Sequence, residues 1–172
     1  TNIGESAEEQ SKNVHKGFSE VEWVTIFFFV GLFILVHGLE QVGLLEMLAN
    51  KVLAFTGGDM TNTALTVLWV SALFSAIVDN IPFVATMIPL IESMAPTFGG
   101  SENLLPLWWS LALGACLGGN GSLVGASANL IVAGIAERSG HRIHFLTFMM
   151  IAFPLMLLSI VIASVYVYLR YL

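Results

Sequence analysis

The 172-residue chain is 56% hydrophobic and only 10% charged, with a mean hydropathy of +0.84. A water-soluble domain carries about 25% charged residues to wet its surface, so a single ordinary soluble core is excluded. The net charge of −6 is concentrated at the start, where Glu5, Glu8, Glu9, Glu20 and Glu22 lie; with no basic patch interleaved with aromatics, nucleic acid is excluded as a partner.

Residues 1–20 are polar and read as a solvated linker from an upstream segment. They lack the basic-then-apolar layout of a signal peptide, and a chain starting at Thr1 reads as part of a longer protein. Trp23 then opens an apolar run that predicts a transmembrane helix over 23–45, with the indole at the interface. Residues 46–60 predict a surface helix or loop ending at Gly57-Gly58-Asp59.

Residues 63–95 are mostly apolar but carry Asp79-Asn80-Ile81-Pro82 in the middle. Proline lacks an N–H and disfavours helix in the residue before it, while Asp and Asn cap new helices. One overlong tilted helix is the other reading of this stretch. The polar interruption favours a re-entrant hairpin, with arms 63–78 and 83–95 and a tip at 79–82. After a Pro/Gly-rich loop, Leu107–Leu117 predicts a helix that Gly118-Gly119-Asn120-Gly121-Ser122 interrupts, with helix resuming over Asn129–Ala136. Four of those five residues are Gly or Asn, too many for a helix interior, so 107–136 predicts a discontinuous helix with an unwound middle. A basic turn, 137–144, leads to a last span over 145–169 with Tyr166, Tyr168 and Tyr171 at its far interface. If that turn is cytoplasmic, Lys12, Lys16, Arg138 and Arg142 lie inside and Lys51 and Arg170 outside, a modest positive-inside bias.

The chemistry concentrates at the two interruptions. A carboxylate deep in a bilayer costs at least about 2.5–3.5 kcal/mol, so Asp79 is expected to face water or a ligand; capping the next helix is the bland alternative. Irregular backbone at membrane depth is tolerated only inside protein or around a cavity, which makes the carbonyls of 118–122, with Ser127 and Asn129, candidates for cation coordination. The bland alternative here is close helix packing through Gly114/Gly118 and Gly121/Gly125, each pair four apart. His37 and Glu40 read as interfacial or packing residues, Glu92 as snorkelling, and His141 and His144 as solvated. An intramembrane enzyme needs a nucleophile with a base. Ser75, Ser122 and Ser127 have no evident His or Lys at their depth, so the chain is expected not to be an enzyme.

The stretch from Val70 through Ser75-Ala76-Ile77-Val78-Asp79-Asn80-Ile81-Pro82-Phe83 to Pro89 resembles the second hairpin of the ion transporter superfamily. Gly114 to Ser122, Gly125 to Asn129 and Ala133 to Glu137 share the resemblance, nearest to the ArsB/NhaD/P-protein-like, citrate-transporter-like permeases. It covers roughly residues 22–170. It implies an all-α integral membrane protein in which this chain is the C-terminal one of two inverted repeats, each with a re-entrant hairpin and a discontinuous helix. A site drawn from Asp79, Asn80, Pro82, Thr86, Gly119, Asn120, Gly121, Ser122, Ser127 and Asn129 is implied, with Na⁺ at Asp79, Asn80, Asn120 and Ser122. In related dicarboxylate carriers the tip reads Ser-Asn-Thr. Asp79-Asn80-Ile81 adds a carboxylate here and favours a cation or proton role.

The function expected is secondary active transport of a small inorganic or organic anion or arsenite-type solute, coupled to Na⁺ or H⁺, with no other cofactor. Na⁺/H⁺ antiport and a non-transporting scaffold or receptor are the alternatives. The expected partners are the lipid bilayer, the solute, the N-terminal half of the transporter and a second copy in a homodimer, in a plasma or inner membrane.

Overall fold

A computed structural model describes residues 23–172; the expected linker, 1–20, and the side chain of Trp23 lie outside the described residues. Among the described residues there are helices and no strand. The chain divides into two compact units, one up to Leu35 and one from Val36 onward. Helix α1, Trp23–Gln41, crosses that boundary. In the first unit Phe28 meets Phe29 edge-on at 5.4 Å between centroids, and Phe33 stacks on Phe29 at 6.5 Å.

The second unit begins with the end of α1 and a break at Val42-Gly43, where Gly43 takes φ 71 and starts α2, Leu44–Thr56. Gly57 and Gly58 follow, both at positive φ, and the Gly58 N–H reaches back to Leu53 O. Side chains rarely adopt that backbone, which is why the glycine pair ends the helix here. Asp59 then caps α3, Met60–Ser75, by accepting from Asn62 N–H at 2.9 Å.

The expected tip at 79–82 is corrected by the structure. The break is Ala76–Asp79, and α4 runs Asn80–Glu92, so Asn80, Ile81 and Pro82 are already helical. The reason is local: Asp79 is the N-cap, accepting from Ile81 N–H at 3.1 Å, and Pro82 falls in the first turn, where a missing N–H costs nothing. Two short 3₁₀ turns, Ala95–Phe98 and Ser101–Asn103, lead to α5, Leu105–Gly118. A third 3₁₀ turn, Gly119–Gly121, and an extended stretch separate it from α6, Ser127–Arg138. Helix α7, Phe145–Tyr171, runs without a break past Pro154 in its interior.

Helix α3 is the spine of this unit. One side packs Ala64 and Val67 with Ala49, Leu90, Ile91, Met94, Leu107 and Leu111. The other packs Leu68, Ala72 and Ala76 against Met156, Ile160, Ala163 and Val167 of α7. Trp69 Nε1 donates to Ser164 Oγ at 3.1 Å and ties the same pair.

Among the described residues, α7 is the one helix long and apolar enough on its own to cross a membrane, and the bent pair α1–α2 qualifies only if taken as a single span. At 16 and 13 residues, α3 and α4 reach about 24 and 20 Å, short of the roughly 30 Å hydrocarbon layer.

Candidate functional site

Two interruptions 40 residues apart in sequence meet in space. The crossing that brings them together is made of backbone. A Cβ on Gly114 would collide with Leu68 O and Ser71, and one on Gly118 with Ala72 O. Leu68 and Ala72 are four apart, as are Gly114 and Gly118, so α3 and α5 run parallel and reach their ends side by side. Small-residue packing is therefore present here, and it does not compete with the unwound segment; it delivers it.

Beyond the crossing, side chains stitch the two breaks to one another. Ser75 Oγ, at the last residue of α3, donates to Ala115 O at 2.6 Å. Ser122 Oγ donates to Ala76 O in the hairpin break and accepts from Gly125 N–H at 3.1 Å. Asn129 Nδ2 donates to Gly119 O at 3.0 Å and to Ser122 O at 2.9 Å. Gly125 sits so close that a Cβ there would lie 2.7 Å from Gly119 O and 2.8 Å from Ser75 O. Ser75 and Ser122 are buried, and unpaired hydroxyls would be costly at that depth. Helix α7 closes the back: a Cβ on Gly121 would meet Met156 at 3.0 Å and Phe153 at 3.4 Å.

The expected site residues therefore separate into groups. Gly119, Gly121, Ser122 and Asn129 are brought into one hydrogen-bonded knot with the hairpin break. Asp79 and Asn80 adjoin it through the chain, three and four residues after Ala76, and both are half-buried. Asp79 is a helix cap, with one carboxylate oxygen engaged by Ile81 N–H. Asn120 is exposed at the centre of the 3₁₀ turn. Ser127 opens α6 with its side chain exposed. Pro82 lies in the first turn of α4, and the Thr86 hydroxyl turns back to donate to Phe83 O at 2.7 Å. Its side chain lines an apolar cavity of about 380 Å³ between α2 and the hairpin, with Leu48, Val70, Phe74, Phe83 and Met87.

Sequence reasoning weighed Ser75 only as a nucleophile and did not see it as a tie; its position four before Asp79 was the available signal. Ala76 and Ala115 act through backbone carbonyls, which no residue type announces. His37 Nδ1 lies 3.4 Å from Glu40 Oε2, both exposed, and Arg142 pairs with Glu137 at 3.5 Å in the basic turn. Among the described residues no cluster of His, Cys, Asp and Glu is arranged to hold a metal ion.

Residues 8–114 match the model of the CitMHS family, described as citrate transporter. An uncharacterized transporter of Mycobacterium tuberculosis is 45% identical over 153 residues, covering 89% of this chain and 36% of the relative. The P protein of Mus musculus is 44% identical over 151 residues, 85% of this chain and 18% of its own length. A 46 kDa membrane protein of Mycobacterium leprae is 42% identical over 154 residues, 90% of this chain and 36% of the relative. The chain thus spans about a third of the mycobacterial relatives and less of the P protein.

Proposed function

The chain belongs to the CitMHS citrate transporter family, and from that premise we propose that it forms one half of the ion and solute pathway of a secondary active membrane transporter. The observation that carries the reading is the meeting of the two interruptions, where Ser122 Oγ holds Ala76 O across 46 residues of sequence. A helix break has no partner in lipid; two breaks bonded to each other, with half-buried carboxylate and amide groups beside them, make a polar locus inside an apolar molecule. In this reading Asp79 and Asn80 from the hairpin, and Asn120 with its neighbouring backbone from the unwound segment, face the coupling ion, Na⁺ or H⁺. The solute is a small anion, and the family's description makes citrate the first to test.

The apolar side chains left outside support a multi-pass placement. Leu130, Ile131, Val132 and Ile135 of α6 are half or more exposed, and no residue of that helix is buried. Lipid, the other half of the transporter and a second copy are the partners proposed for such faces.

The test is flux by the full-length protein in proteoliposomes, with labelled citrate and arsenite, under separate Na⁺ and pH gradients. Gradient-dependent flux that Asp79→Asn abolishes is the expected result. Asn caps a helix as well as Asp does, so a capping role alone predicts unchanged flux. Exchange of Na⁺ for H⁺ without solute movement would assign the antiporter alternative. Absence of every flux, with cysteines at positions 80 and 120 closed to aqueous reagents, would leave the scaffold reading.

A further inference from the structure

We propose that Asn129 is a positioning residue that sets the shape of the unwound segment, and is not itself a ligand of the transported ion; this rests on the transport reading above. Its amide nitrogen carries two hydrogens, and both are used, on Gly119 O and Ser122 O. Those two carbonyls bracket Asn120 and Gly121, so one side chain from the first turn of α6 fixes the separation of the segment's ends. A planar amide held this way has one orientation. Turning it over would set Oδ1 against two carbonyl oxygens and lose both bonds.

Ser122 extends the constraint to the hairpin. Its carbonyl accepts from Asn129, its hydroxyl donates to Ala76 O, and the same oxygen accepts from Gly125 N–H. A disturbance at position 129 therefore passes along two bonds to Ala76, three residues before Asp79. Among the described residues no hydrogen bond engages the side chains of Asn80 or Asn120, which leaves those amides to meet the ion while Asn129 holds their supports in place.

The two roles order two substitutions oppositely. Aspartate at a ligand position adds negative charge toward a cation and keeps or tightens binding. Aspartate at a clamp position brings no donor and places charge against two carbonyls. The measurement is the half-saturating Na⁺ or H⁺ concentration for flux in the full-length protein, together with the rise in melting temperature that the ion produces. Asn129→Ala is expected to raise the half-saturating concentration about 10-fold, the scale of one or two lost neutral hydrogen bonds, with a smaller fall in maximal rate. Asn129→Asp is expected to be worse than Asn129→Ala. Aspartate binding the ion as tightly as wild type would overturn the proposal, and so would variants that melt earlier yet keep the wild-type half-saturation. If Asn129→Asp does not fold, the ion-induced melting shift of Asn129→Ala decides, a wild-type shift overturning the clamp. A wild type that responds to neither ion, in flux or in melting, overturns the transport reading and this inference together.

Discussion

Helices α5 and α6, on either side of the break at 119–126, are both apolar and differ in what they bury. Helix α5 buries Leu107, Ser110, Leu111, Gly114, Ala115 and Gly118 and meets α3 backbone to backbone. Helix α6, just past the break, buries nothing, and Gly134 in its middle has open space where a Cβ would go. Glycine therefore plays opposite parts on the two sides. In α5 it is the condition for a contact; in α6 a Cβ in its place would meet nothing within 4 Å among the described residues.

The sharpest way to break that contrast is Gly118→Leu. No flexible group borders the site, since its neighbours are the Ala72 backbone atoms, so the helices must separate. Overpacking costs of 1–3 kcal/mol are typical where side chains can yield; here we expect at least about 3 kcal/mol, seen as lost folded protein in detergent melting. Ser122→Ala is next. It leaves Ala76 O and Gly125 N–H unpaired in a buried place, and about 1–3 kcal/mol of stability should disappear. Ser75→Ala removes one tie, to Ala115 O, and should cost about 1 kcal/mol. The smallest effect has the opposite sign. Gly134→Ala should be neutral or stabilise by up to about 1 kcal/mol, because alanine is the better helix former and nothing within 4 Å resists it. A marked loss of stability in the full-length protein at that position would show that α6 is tightly packed against the rest of the transporter.

Much of this organisation was legible in the sequence, because the signals were local. Gly57-Gly58 ended a segment, Asp79 was weighed as a cap, and the Gly-Asn-Gly run unwound a helix, while the cap at Asp59 went unread. The error at the break came from starting the second helix near Pro82 itself, when Asp79 caps it three residues earlier and proline fits at the end of that first turn. The parts of the site that escaped were long-range and carried by main chain. Nothing in Ala76 or Ala115 marks their carbonyls as acceptors for serines 46 and 40 residues away. Asn129 was recognised as polar and central, but only its two bonds reveal that its donors face inward to the protein. Pro154 drew no notice, although it withholds the N–H that Met150 O would otherwise accept on the helix closing the site.

The parallel run of α3 and α5 has an electrostatic consequence. Both helices end at the breaks, Ser75 and Gly118, so two carboxyl-terminal poles arrive together, each equivalent to about half a negative charge. Helices α4 and α6 begin five and nine residues further along the chain, at Asn80 and Ser127, and contribute amino-terminal poles of the opposite sign. Peptide partial charges of both signs thus flank the two breaks, the negative ones side by side where α3 and α5 end.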